Sequence, residues 1–285
     1  MAVFLQALFS GVLEAGLLMA VAAGLALVFG VMGVVNFAHG ALLMIGMYAA
    51  VAVGDVGSIW VTSLLVMAAM AVLGGVLYAG LIRPAYHLDH TFHLLITLGL
   101  AVVLENVVLL VFGASPRGRA NAGIGGSLQL LGASLPWNRV ILFFLGAAAT
   151  AALYLFITRT ELGQQIRAAS QDTMAAELAG ISVQKVMAVS MALGVGVLGL
   201  IAPWVLTTTS DSPTLGDRFV LLAFVVVILG GAGSLRGAAL AAVIVGLTEN
   251  FGSAYLPGTL GLSAVWILFV LVLLLRPQGI MGNKL

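Results

Sequence analysis

No cysteine occurs among the 285 residues, which excludes disulfides, thiol chemistry and cysteine-held metals. Charge is almost as scarce. Only 7% of the residues are charged, where an average soluble domain has about 25%. Glu14 and Asp55 are the only charged residues before Arg83. A net charge of +1 provides no basic surface for nucleic acid. Lysine appears only as Lys185 and Lys284, and no Gly-x-x-x-x-Gly-Lys-[Ser/Thr] loop occurs, so nucleotide binding of that kind is not expected of this chain. The N-terminus, Met-Ala-Val-Phe-Leu-Gln, has no positive n-region, so the first apolar run is expected to be retained rather than cleaved.

What is present is apolar. Hydrophobic residues make up 62% of the chain, in continuous runs rich in Leu, Val and Ala. A membrane β-barrel would show short alternating segments instead. The expected fold is an all-α polytopic membrane protein, one transmembrane domain over residues 1–285. Candidate spans are 5–32, 40–56, 59–82, 94–113, 137–157, 186–206, 219–231, 236–256 and 260–275. A hydrocarbon core of about 30 Å needs about 20 helical residues, and 219–231 is too short. The expected count is therefore eight to nine, eight if one segment is re-entrant.

Glycine is the second excess, with 36 residues and clusters at 30–40 and 230–237. Small residues let helices approach closely in lipid, so a tightly packed bundle is expected. The stretch Gly33-Val34-Val35-Asn36-Phe37-Ala38-His39-Gly40 does not suit a continuous membrane helix. An amide beside an imidazole in hydrocarbon must be hydrogen-bonded or wet. Non-helical backbone at that depth is tolerated only under protein cover or beside a polar cavity. A helix break lining a path through the membrane is the expectation, with Gly33, Asn36, Phe37, His39 and Gly40 on that path. The turn Gly230-Gly231-Ala232-Gly233-Ser234-Leu235-Arg236-Gly237 has the same glycine spacing at its ends, which makes an internal repeat a candidate. It either joins a tight hairpin or separates half-helices. Under the second alternative Gly231, Gly233 and Ser234 also face the path.

Polar residues inside the apolar runs are the next candidates. Glu105 with Asn106, Glu249 with Asn250, and Glu14 lie well inside their spans. Intramembrane carboxylates usually face the bundle interior or water, so Glu105 and Glu249 are path candidates, against an ordinary inter-helix hydrogen bond. For Glu14 the inter-helix bond is favoured. Pro203, followed by Trp204, should bend its span. His87, His90 and His93 follow each other at i, i+3, i+6, but the outer two stand about 240° apart on a helix. Metal binding is disfavoured, and solvated histidines are expected.

The segment 158–185 carries six of the 21 charged residues. Asp172 is suited to cap a short helix from Thr173 to Ala179, Gly180 to stop it, and Ser182 to cap the next span. Met174, Leu178 and Ile181 share one side of that helix. On pattern alone this side packs against the bundle; the alternative is a grip for a partner. Orientation follows from Lys and Arg. Placing Arg83, Arg159, Arg167, Lys185, Arg236, Arg276 and Lys284 in the cytoplasm leaves Arg117, Arg119, Arg139 and Arg218 outside. With nine crossings the N-terminus is then outside and the C-terminus inside. The outer loops are 114–136 and 207–218, the latter with Asp211, Asp217 and Arg218.

Several blocks together carry a family resemblance. They are Gly30 through Asn36-Phe37-Ala38-His39-Gly40 to Ile45-Gly46; Arg167-Ala168-Ala169 followed by Asp172, Ala175, Gly180 and Ile181; Gly230 to Ser234 with Gly237; Ser253-Ala254-Tyr255-Leu256; and Arg276-Pro277-Gln278-Gly279-Ile280-Met281-Gly282. In that order, over nearly the whole chain, they resemble the permeases of branched-chain amino acid ABC importers, LivH-type. The resemblance implies a bacterial inner-membrane permease paired with a second, homologous permease. Two cytoplasmic ATPase subunits would carry ATP and Mg²⁺, this chain none, and an external binding protein would deliver Leu, Ile or Val. It also implies that the loop 159–185 couples to the ATPases through Arg167, Ala168, Asp172, Ala175, Glu177 and Gly180. An importer of urea, short-chain amides or other amino acids in the same family, and a stand-alone secondary transporter, are the alternatives. One departure stands out. Family members often carry basic residues after the Arg-Pro that ends the third span, where this chain has His87-Leu88-Asp89-His90.

Overall fold

In the computed structural model, residues 1–54, 57–86, 88–115, 125–209, 215–257 and 260–282 are described, without the side chain of His90. The helix α1 (Ala2–Met32) is the axis of the bundle. Its 31 residues span about 46 Å at 1.5 Å per residue, and from Ala15 to Val28 nearly every one is buried. A helix apolar on all sides belongs inside. Around it stand α6 (Trp137–Arg159), α9 (Val183–Val205), α10 (Leu215–Gly230) and α11 (Leu235–Tyr255).

Close packing comes from glycine set against glycine. A Cβ at Gly146 would strike the Gly16 backbone, and one at Gly16 the backbone of Phe143; Gly11 and Gly246, and Gly24 and Gly194, would each strike the other, and a Cβ on either Gly30 or Gly233 would press on the other's Cα. Four glycines of α1 thus seat α6, α9, α11 and the turn before α11. Without side chains between them, backbones approach closely and gain dispersion contacts that lipid cannot supply.

The outer helices complete the architecture. α3 (Ile59–Leu77) passes through a π-helical turn (Tyr78–Ile82) into α4 (Arg83–Ala85). Pro84, which has no N–H to give to an α-helical turn, lies two residues after that wider turn. α3 lies antiparallel to α9, with Trp60 against Trp204 (ring centroids 4.7 Å apart) at one end and the Tyr78 hydroxyl donating to Gln184 (2.6 Å) at the other. α5 (His90–Phe112) rests on α2 (His39–Val53), and α12 (Leu260–Leu275) on α11. A β-hairpin, β1 (Ser127–Leu130) with β2 (Ala133–Pro136), sits beside the start of α1, where Gln6 bonds both the N–H (2.9 Å) and the carbonyl (3.1 Å) of Ser134.

Nine apolar helical segments are described, in the positions the hydrophobic runs predict. Six are long and apolar enough to cross a membrane. α2, α10 and α12 have 15, 16 and 16 residues, roughly 22–24 Å each. Pro203 lies two residues before the end of α9, so any bend is confined to the last turn. The end of the bundle with the N-terminus and the hairpin is called here the near end; α1 finishes at the far end.

At the far end the stretch 230–237 resolves into a hairpin turn between α10 and α11. Gly231 and Gly233 take positive φ (103° and 79°), and Ser234 caps α11 by accepting from Gly237 N–H (3.1 Å). Gly33–Gly40 is a different object, a break inside the bundle. The C-terminal residues close over this turn. Ile280 and Met281 N–H groups donate to the Leu229 and Gly230 carbonyls (2.8 and 3.0 Å), groups that a helix end otherwise leaves unbonded.

Gly40→Val drives a side chain onto the Gly216 carbonyl, an overpacking worth about 1–3 kcal/mol or more. Its thermal midpoint in detergent is expected to fall clearly. Gly75→Ala, which points into open space, is expected to leave the midpoint unchanged or slightly raised.

Candidate functional site

The chain leaves helical form at Gly33, the left-handed C-cap of α1 (φ 66°), whose N–H reaches the Phe29 carbonyl. It then climbs back beside α1. Asn36 organises the turn: its Oδ1 accepts from Ala38 N–H (3.1 Å), and its carbonyl accepts from His39 N–H (3.1 Å). The Val35 carbonyl accepts from the Thr97 hydroxyl of α5 (3.3 Å). α2 starts at His39, whose Nε2 meets the Val21 carbonyl at 3.0 Å. Val21 lies 11 residues before the end of α1, so α2 begins roughly 16 Å inside the far end.

α10 runs the other way past this point. Its first turn meets the first turn of α2, Gly216 against Gly40, and Phe224 then packs on Phe37 (centroids 6.3 Å). Two short helices thus have their N-termini together in the middle of the bundle. Asn36 and His39 are enclosed, at 3% and 0% exposed. His39 Nδ1 is buried with no partner among the described residues, an arrangement that costs about 1–3 kcal/mol. Val34, below Asn36, lines a 260 Å³ cavity at the far end, together with Val31, His93, Thr173 and Met187.

The other candidates lie away from the break. Gly231, Gly233 and Ser234 are in the far-end turn, with Gly233 on Gly30 and Gly231 on Gly282. Glu105 is half-buried on α5, within electrostatic reach of Asp217 of α10. Glu249, on α11, accepts from Arg218 (2.6 Å) and is buried. Asp217 and Arg218 belong to the first turns of α10, not to an outer loop, because that helix begins four residues earlier than the apolar run. Asp211 lies outside the described residues, as do Arg117 and Arg119. His93 is buried in the cavity wall rather than solvated, since α5 begins at His90 and so places His93 within its first turns. His87 lies outside the described residues.

Residues 7–275 match the family model described as the branched-chain amino acid transport system permease component. The chain belongs to that family. Among its relatives are the high-affinity branched-chain amino acid transport system permease proteins LivH of Salmonella typhimurium LT2 (29% identical over 301 residues) and of Escherichia coli K12 (29% over 304). BraD of Pseudomonas aeruginosa PAO1 is 27% identical over 295 residues. Each alignment covers 98% of this chain and 96% of the relative. No solved structure matches the chain.

In this permease-family chain the 159–182 segment forms two far-end helices. Thr160 caps α7 (Glu161–Gln171) by accepting from Gly163 N–H (3.0 Å), and Asp172 caps α8 (Thr173–Leu178) by accepting from Ala175 N–H (2.9 Å). Gly180 (φ 81°) ends α8, with its N–H on Glu177 and that of Ile181 on Ala176, the paired bonds of a Schellman stop. Ser182 occupies the next N-cap position but makes no side-chain cap bond. Sequence reading did not identify α7, although Thr160 before Glu161 is a start signal, nor the β-hairpin, whose Leu131-Gly132 turn has positive φ at both residues.

Arg218→Ala leaves a buried carboxylate without its cation. A drop in stability of roughly 1–3 kcal/mol is expected in detergent unfolding, partly recovered by adding Glu249→Gln.

Proposed function

We propose that this chain is the membrane-embedded permease of an ATP-driven importer that moves Leu, Ile or Val inward by alternating access. It works beside a second, homologous permease and two cytoplasmic ATPases that carry the ATP and Mg²⁺. A binding protein supplies substrate at the near end. Residues 1–285 act as one unit in the inner membrane of a bacterium. The near end, with the N-terminus, faces outside; the far end and C-terminus face the cytoplasm, in keeping with the basic residues there.

One observation carries the coupling assignment. On α8, Met174 is 73% and Leu178 83% exposed, whereas Ala176 on the other side is buried. A helix that only covered the bundle would turn its large apolar side chains inward. Here they stand out beside Arg167, Asp172, Ala175, Glu177 and Gly180, with Ala168 half-buried behind them. Such a short, rigidly capped apolar tip suits the groove of a partner.

A push on α7 and α8 reaches the break by a short route. Thr173 and Val34 line the same far-end cavity, and Asn36 leans on Met191 of α9 (Nδ2 to Sδ, 3.8 Å). The glycine contact Gly40–Gly216 presents smooth backbone to a sliding or parting motion, and the unpartnered Nδ1 of His39 would gain water when the middle opens. We therefore assign Gly33, Asn36, Phe37, His39 and Gly40 to the moving wall of the path. Glu105 and Glu249 stand nearer its outer side, and Gly231, Gly233 and Ser234 are its inner pivot.

Leu178→Arg is expected to leave the permease folded and in the membrane. Co-purification of the ATPases and uptake driven by ATP in proteoliposomes should both fall at least about tenfold, as for loss of a central interface residue. Normal docking and normal uptake by this variant would remove α8 from the coupling role.

A further inference from the structure

We infer that the cavity between the near-end parts of α1, α6 and α10 is a resting site for the zwitterionic head of an α-amino acid, Arg139 and Arg218 holding the carboxylate and Glu14 the ammonium group. This inference rests on the import of branched-chain amino acids proposed above and names the place where the permease itself holds them.

The cavity has a volume of 120 Å³. At about 10–15 Å³ for each water-sized position, it has room for on the order of ten waters, enough to take in an amino acid. Its polar lining comes from three helices and one turn: Glu14 of α1, Arg139 of α6, Arg218 of α10, and Thr208 and Thr209 after α9. Leu13, Leu17, Leu142 and Phe219 supply an apolar side. Polar and apolar walls together are what an amino acid with a branched aliphatic side chain requires.

The charges are arranged for a zwitterion rather than for an ion of one sign. Arg218 is already matched by Glu249, which accepts from it at 2.6 Å and fixes the guanidinium at the cavity wall. Arg139 and Glu14 remain. No ion pair joins them to each other or to another group among the described residues, although each lies within electrostatic reach of the other. Among the described residues, one cation and one carboxyl group without an ion pair thus share the cavity, and an amino acid supplies the complement to both.

The arginines also stand where they do not help their own helices. Arg139 is the third residue of α6 and Arg218 the fourth of α10, each in a first turn. A cation there opposes the helix dipole, which favours anions at that end. Two guanidiniums and two helix N-termini therefore concentrate positive potential on one side of a small space, which a carboxylate relieves. The mouth is held in place. Asn138 Nδ2 donates to the Thr207 carbonyl (2.6 Å), and the Thr208 hydroxyl donates to the Val205 carbonyl (2.9 Å), which leaves its lone pairs to accept. Below this level α1 is buried from Leu18 to Val28 except at Met19, so a solute entering from the near end meets packed side chains.

The test uses the whole permease–ATPase assembly in detergent without its binding protein, with tritiated L-leucine as probe and scintillation proximity as readout. Saturable binding is expected in the wild type. Glu14→Gln and Arg139→Gln should each weaken it about tenfold or more. 4-Methylpentanoate, which lacks the amine, should compete equally well against both wild type and Glu14→Gln. If Arg139→Gln does not assemble, Arg139→Lys replaces it and should bind leucine more weakly than wild type, a point charge being a poor substitute for a planar fork. Equal leucine affinity in wild type and variants overturns the site. So does a wild-type assembly that imports leucine with its binding protein yet binds none without it, and in that case the importer assignment stands. A wild-type assembly that imports no branched-chain amino acid with ATP and binding protein overturns the assignment and the site together.

Discussion

Backbone set against backbone is the constraint on which this fold depends. In lipid the helices gain little by hiding apolar side chains from one another, because the tails are equally apolar. What remains is contact area, and the glycine pairs along α1 provide it. Gly11, Gly16, Gly24 and Gly30 each receive a glycine from a different part of the chain. A bundle fastened by such contacts has few interlocked side chains to disengage when neighbouring helices shift. The same device recurs where α2 and α10 meet, Gly40 on Gly216, in the layer that separates the near-end cavity from the far-end one.

The break in the chain follows from that packing. An interrupted helix at membrane depth needs a partner for every freed polar group. Asn36 satisfies its own turn, Thr97 covers the Val35 carbonyl, and His39 fastens the start of α2 to α1. The break is therefore protein-covered in this conformation, and among the described residues its one buried side-chain polar atom without a partner is an imidazole nitrogen. Its neighbours are aromatic or thioether side chains, Phe224 and Met191, which adapt to a changing surface more readily than branched ones. The far end has the opposite character. There, two capped helices, a hairpin turn and the returning C-terminal residues tie α10, α11 and the tail into one piece, with Arg236 stacked over Tyr154 of α6 (4.5 Å). A stiff base under a glycine-faced middle is suited to pass a displacement upward.

Much of this was legible in the chain. The long apolar runs located all nine helical segments, because hydrocarbon enforces length and composition more strictly than water does. The break was legible from Gly33, Asn36 and Gly40, residues that disfavour a helix interior. The α8 cap and stop were legible from Asp172 and Gly180, since both act through local geometry. The hairpin was missed because its Leu-Gly turn and four-residue strands carry too little pattern.

What the sequence determined by itself was therefore set by local chemistry: class, the positions of the apolar helices, the cap and stop of α8, and the interruption at 33–38. Only the tertiary structure decided which glycines meet, that the two similar glycine stretches are a buried break and a surface hairpin, and that Arg218 belongs with Glu249 across 31 positions. It also decided that Met174 and Leu178 point away from the bundle. These depend on how one helix face is turned toward another. In a membrane protein that choice leaves little trace in hydropathy, because lipid-facing and protein-facing sides are equally apolar.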